Sequence, residues 1–112
     1  MIIYVGGDCL GNIYDDNAKT IKAISDPSKL KIVDILSCGE KCASDLLEHF
    51  NFTQPTLSHH MKVLTECGVV DVKKTGLWNH YFLNKENYNK LVMFLVKLMK
   101  NNEGCICEVN WR

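Results

Sequence analysis

The stretch Thr53-Gln54-Pro55-Thr56-Leu57-Ser58-His59-His60-Met61-Lys62-Val63-Leu64 decides how this chain is read. Thr53 suits a helix N-cap, and Pro55 falls in the first turn, where a missing N–H costs little. Leu57, Met61 and Leu64 recur at i, i+4 and i+7, the apolar stripe of an amphipathic helix. The opposite side carries Thr56, Ser58, His59 and Lys62, all hydrogen-bond donors and none acidic. Such a face suits an anion of extended shape. Taken alone, the segment is equally an ordinary surface helix, and its flanks decide between the two. His60 lies beside the stripe and reads as a packed helix-face histidine.

On the N-terminal side, residues 41–50 predict a short helix with Ala43, Leu46, Leu47 and Phe50 inward, and Asn51-Phe52 forms the turn. A short helix, a tight turn and a second helix with donors outward is the helix-turn-helix arrangement. On the C-terminal side Gly68 ends the helix. Residues 69–74 alternate apolar and polar, and 79–83 are rich in strand formers. Thr75-Gly76-Leu77-Trp78 joins them into a β-hairpin, the wing of a winged helix-turn-helix.

Further out, Asp26-Pro27 predicts a sharp helix start at 27–37, a segment apolar nearly all round, as a central helix would be. A shorter helix precedes it, starting at Asp15 or Asp16 and running to Ser25. Asn84 predicts the cap of a last helix over 85–101. Its apolar surface includes Tyr88, Leu91, Val92, Leu95, Leu98 and Met99, widened by Phe94 and Val96. One small domain cannot cover so broad a face, so a second copy is expected there. The predicted fold class is mainly α with a small β-hairpin: four helices, two strands and a final helix, assembled as a homodimer. The predicted organisation is a flexible arm over 1–13, a winged domain over 14–102 and a cysteine-containing tail over 103–112.

With 112 residues and 46% apolar content, one domain with a modest core is expected. No apolar run approaches the roughly 20 residues of a transmembrane helix. The opening MIIYVGGDCLG lacks the pattern of a signal peptide. A cytoplasmic protein with no membrane partner follows. Formal net charge is zero, but its distribution is uneven: residues 1–50 hold five Lys against eight acids, and 51–100 hold seven Lys against three. The positive half contains the donor-faced helix, as a nucleic-acid footprint requires.

Six cysteines, Cys9, Cys38, Cys42, Cys67, Cys105 and Cys107, exceed what packing needs. In a reducing compartment they point to metal or redox use rather than to a disulfide framework. Thiolates select soft ions: As(III), Cd(II), Pb(II) or Cu(I), with Zn(II) also accommodated. Cys38 and Cys42 flank the start of the 41–50 segment off its apolar stripe, whereas Cys67 reads as a small core residue. Cys105 and Cys107 in the tail would complete a site or act as a redox pair.

The run IKAISDPSKLKIVDIL, followed by EKCASDLLEHFNFTQPTLSHHMKVLTECGVVDVKKTGLWNHYFL, resembles the ArsR/SmtB family of metal-responsive winged-helix repressors. The resemblance covers about residues 18–83 and rests most specifically on D-P-S-K-L and on Q-P-T-L-S-H-H-M-K-V-L with the following C-G-V-V. It implies a homodimer built on the first and last helices. It also implies double-stranded operator DNA under the fourth helix and wing, and weaker DNA binding once an effector is bound. Carried over residue by residue, the DNA-facing positions are Gln54, Thr56, Ser58, His59 and Lys62, with Lys73 and Lys74 on the wing. Ser58 and His59 would approach base edges, and the lysines would neutralise phosphates. The family often carries an arginine beside the wing-tip glycine, and here that residue is Leu77.

For the sensor site the resemblance leaves alternatives. Arsenite, cadmium and lead sensors carry E-L-C-V-C-D-L, and this chain has Glu40-Lys41-Cys42-Ala43-Ser44-Asp45-Leu46, keeping only the first cysteine. A second branch pairs a cysteine before the post-helix glycine, here Cys67, with one four residues earlier, here Val63, and one in the tail. A third uses Asp and His of the last helix, and residues 85–101 contain neither. The expected site is therefore anchored on Cys42, with Cys38 beside it and either Cys9 or Cys105 and Cys107 completing it. The expected function is a repressor released from DNA by a soft metal or metalloid. The alternatives are a redox or reactive-sulfur sensor of the same fold and, more distantly, a thiol enzyme or metal carrier. Against that last reading, no Cys-x-x-Cys within a βαβ pattern and no catalytic motif is present.

Overall fold

The computed structural model describes residues 9–100. Its elements follow in the order α1 (Cys9–Ile24), α2 (Pro27–Leu36), β1 (Lys41–Cys42), α3 (Ala43–Leu47), α4 (Gln54–Glu66), β2 (Val70–Thr75), β3 (Trp78–Leu83) and α5 (Lys85–Met99). Among these residues no helix is long and apolar enough to cross a membrane.

Local chemistry sets most of the boundaries. The Asp26 carboxylate accepts a hydrogen bond from the Lys29 N–H at 3.1 Å, and Pro27 occupies the first turn of α2. That N–H bond holds the Asp26 carboxyl below its ordinary pKa. Asn84 caps α5 in the same way by accepting from the Asn87 N–H at 3.0 Å, and its amide donates to Asp71 at 2.9 Å. Thr53 is the N-cap of α4 by backbone conformation, but its hydroxyl bonds no helix N–H and lies 3.3 Å from the Thr56 hydroxyl instead. Gly68 follows α4 with φ +89°, a region that disfavours side chains, and its carbonyl accepts from the Asn87 amide at 2.9 Å.

Three expectations change. The helix expected from Asp15 or Asp16 begins at Cys9, so residues 9–13 are helical rather than part of an arm; residues 1–8 lie outside the described residues. A helical glycine such as Gly11 costs only about 1 kcal/mol relative to alanine, and packing offsets it: α1 lies against α5, with the rings of Tyr14 and Phe94 edge to face at 6.0 Å. The helix expected over 41–50 is shorter at both ends. Residues 41 and 42 leave it to form β1, pairing antiparallel with β3 through Lys41↔Tyr81 and Cys42↔His80. Beyond Leu47 the backbone tightens to bonds three residues apart, from His49 N to Leu46 O at 3.0 Å and from Phe50 N to Leu47 O at 3.1 Å. The hairpin is therefore part of a three-stranded sheet in the order β1-β3-β2. Third, α2 is central on one side only: Ile32 and Leu36 are buried, while Leu30 is exposed.

The core lies where α2, α3 and α4 meet the base of the sheet. Ile32, Leu46, Leu57, Met61, Leu64 and Val70 have essentially no exposed side-chain surface. Burying one such side chain is worth about 1.5–3 kcal/mol, and three of the six come from α4. Helix α4 is thus fixed by its inner face, which leaves its outer face free for other work.

Candidate nucleic-acid interface

Gln54, Thr56, Ser58, His59 and Lys62 are all exposed, and Leu57, Met61 and Leu64 of the same helix are buried. The 3.6-residue period thus separates a fixed inner face from an outward donor face, with no acidic side chain on α4 before Glu66. The preceding turn is braced by aromatic packing. Phe50 and Phe52 stack at 4.5 Å, and the Lys31 ammonium lies 4.9 Å from the Phe50 ring centre while donating to the His49 carbonyl at 2.8 Å.

His60 is packed, as its position beside the stripe suggested. It is half-buried with its ring 5.2 Å from Phe52, and its Nδ1 is buried with no hydrogen-bond partner among the described residues. Burial, reinforced by the charge of Lys29, pushes its pKa below the ordinary value; Asp26 opposes the shift, and His59 adds to it.

The wing runs outward from Val70 on β2 and Tyr81 on β3, both buried, to the exposed tip at Gly76-Leu77. Gly76 has φ +63°, as a two-residue hairpin loop requires. Lys73 and Lys74 are both exposed on β2. Glu40, which the sequence reading did not single out, immediately precedes β1 and contacts both wing strands: its Oε1 is 3.3 Å from Lys73 Nζ and its Oε2 is 3.2 Å from His80 Nδ1. The register that creates this cluster pairs Lys73 with His80, and Cys42 with the same His80 from the other side.

The cysteines are placed differently from one another. Cys38 is exposed and Cys42 is half-buried at the junction of β1 and α3, with its sulfur 3.1 Å from the Ser44 hydroxyl. Cys67 caps α4, donates to the Leu64 carbonyl at 3.3 Å and is half-buried, packed against the core without belonging to it. Cys9 begins α1. Cys105 and Cys107 lie outside the described residues. Among the described residues no three of His, Cys, Asp and Glu gather closely enough to hold a metal ion.

A helix with a free donor face, set behind a short helix and followed by a basic two-stranded wing, defines a winged helix-turn-helix DNA-binding protein. Residues 26–72 match the family model described as bacterial regulatory protein, arsR family. The chain is 46% identical over 95 residues to the arsenical resistance operon repressor of Staphylococcus xylosus, covering 85% of this chain and 91% of that one. It is 44% identical, with the same coverage, to the repressor of that name from Staphylococcus aureus. The crystal structure of a possible transcriptional regulator for arsenical resistance superposes with a TM-score of 0.67 at 26% identity, covering 71% of this chain and 83% of that one. The chain belongs to the ArsR family and is a DNA-binding transcriptional repressor, not an enzyme.

Proposed function

We propose that the protein occupies double-stranded operator DNA as a homodimer and leaves it when cysteine thiolates bind a soft metal or metalloid ion, with Cys42 as the anchoring ligand. Trivalent arsenic is the first effector to test, because the relatives at 46% and 44% identity are repressors of arsenical resistance operons. Cadmium, lead, copper(I) and zinc share the same thiolate chemistry.

The observation that carries this reading is the position of Cys42. It stands on β1, whose Cα partner His80 belongs to a wing strand, and Glu40 two residues earlier contacts both His80 and Lys73. A ligand gripped at Cys42 is therefore one strand away from a DNA-contacting element. The donor chemistry at that point fits one bond to a soft ion, a half-buried thiol beside a hydroxyl. The described residues alone do not complete a site. Cys38, with either Cys9 or Cys105 and Cys107, supplies the remaining thiolates in this proposal. The ion would favour whichever arrangement of β1 lets its ligands converge. Repression is lost only to the extent that this arrangement binds DNA less well, typically a coupling of about 1–3 kcal/mol.

The homodimer is supported by α5. Val92, Met93, Val96, Leu98 and Met99 are exposed in the single chain, and only Leu91 of this helix is buried. Two recognition helices would then sit about 34–36 Å apart, on successive major-groove faces.

The test is a set of single Cys→Ser variants, bound to DNA from upstream of the protein's own gene and challenged under reductant with arsenite, cadmium or zinc. Every variant should bind DNA, and Cys42→Ser should lose the response most. If Cys42→Ser responds like wild type while Cys67→Ser or Cys105→Ser does not, the anchor lies elsewhere. Release by oxidant alone would replace the ion with a thiol redox signal.

A further inference from the structure

We propose that Leu77 and Trp78 at the tip of the wing form an apolar wedge that enters the minor groove of bound DNA, partly unstacks a base step and bends the duplex. Leu77 is 95% exposed and Trp78 60% exposed, and neither belongs to the core or packs against it. Both side chains lie outside the core, yet they stand at the tip of the wing, which the proposed function turns towards DNA.

The setting selects the occupant. From Lys73 to Asn79 the wing carries two lysines, a threonine and an asparagine around the tip and no acidic residue. An apolar point inside a cationic, hydrogen-bonding rim matches a groove floor flanked by phosphates; an apolar protein surface would have no use for the lysines. The wing follows the recognition helix directly in the chain, through the turn at Gly68, and carries its own exposed lysines beside the tip.

The chemistry of the tip fixes what it can do there. A leucine offers neither charge nor a donor, so it cannot read the minor groove by hydrogen bonding. Inserted leucine side chains act by wedging between base pairs and kinking the duplex. Trp78, paired in register with Thr75 beneath the loop, brings a flat ring next to the point of insertion, where it can stack on an exposed base or sugar. The Gly76 turn, with φ +63°, keeps the loop to two residues, so the leucine projects from a narrow, well-braced point. Because pyrimidine–purine steps unstack most readily, the wedge confers a preference for such a step outside the bases touched by α4.

This inference rests on the DNA-binding assignment, and the experiment separates the two. The full chain carries Trp111→Phe, which leaves Trp78 as the sole tryptophan. It is bound to a duplex from upstream of its own gene, labelled at both ends for energy transfer. Binding itself reports on DNA recognition. Quenching of Trp78 emission and a shortened end-to-end distance report on the wedge, and both are expected. Leu77→Ala should straighten the duplex and weaken binding by about tenfold with an unchanged salt slope, since no phosphate contact is lost. Leu77→Met should restore the bend. Leu77 has no packing to lose, so these variants keep the fold. Unquenched Trp78 with an equal bend in wild type and Leu77→Ala overturns the proposal. So does a Leu77→Ala variant that binds and bends DNA normally but changes its self-association, which would make the tip a protein contact.

Discussion

Glu40 holds Lys73: the carboxylate oxygen of a residue ahead of β1 lies 3.3 Å from the ammonium of a wing residue 33 positions later in the chain. Both side chains are well exposed, so the pair adds at most about 1 kcal/mol to stability. Its interest is in what it does to a lysine expected to meet a phosphate. To reach DNA, Lys73 must leave a carboxylate that also contacts His80, whereas no such partner is found for Lys74 among the described residues.

The two wing lysines should therefore behave differently. Lys74→Ala should flatten the dependence of log K on log salt by about one phosphate contact, and Lys73→Ala by less. Glu40→Gln should tighten DNA binding, because it frees Lys73. Fluorescence anisotropy titrations at several salt concentrations measure all three slopes. Equal slopes for the two lysine variants would show that Glu40 does not restrain Lys73.

On the recognition helix, Ser58→Ala and His59→Ala should each cost about 1–3 kcal/mol on the operator and much less on random DNA. Both side chains are exposed, so stability should be unaffected. The ratio of specific to random affinity is the readout, and an unchanged ratio for His59→Ala would move the reading face elsewhere on α4.

Val96 is half exposed on the outer side of α5, so Val96→Glu leaves the protomer's core intact. It should prevent dimerisation by burying an unpaired carboxylate between two copies. Sedimentation should give monomers, and operator affinity should fall steeply. A wild type that sediments as a monomer at micromolar concentration would remove α5 as the dimer contact.

His60 should make stability depend on pH. Its folded pKa lies below the ordinary 6.5 because burial disfavours the imidazolium. The unfolded chain therefore binds the proton more readily. The stabilisation is complete above the ordinary value and is lost as pH falls through that value towards the folded one. Asp26 remains ionised over this window because its own pKa is depressed. His60→Leu removes both the titration and the orphaned Nδ1, and should flatten the decline seen in urea denaturation as pH falls below the ordinary histidine value.

Sequence by itself determined the parts governed by local rules. The stripe of Leu57, Met61 and Leu64, the caps at Asp26 and Asn84, and the Gly76 loop specify their elements through contacts a few residues apart. The donor face of α4 was legible for the same reason: helical periodicity that buries one face necessarily exposes the other. Tertiary structure alone decided the rest. A two-residue strand has no period, and Lys41-Cys42 is extended only because β3 offers backbone partners about 40 positions away. The contacts of Glu40 with Lys73 and His80, and the placement of Cys42 one strand from the wing, follow from that pairing. The start of α1 was hidden because Gly11-Asn12 reads locally as a break, and helix-to-helix packing overrides a propensity cost of about 1 kcal/mol. Whether a residue on an amphipathic face is covered is likewise non-local: Leu91 and Val96 share one helix, yet only Leu91 meets the rest of its own chain closely enough to be buried.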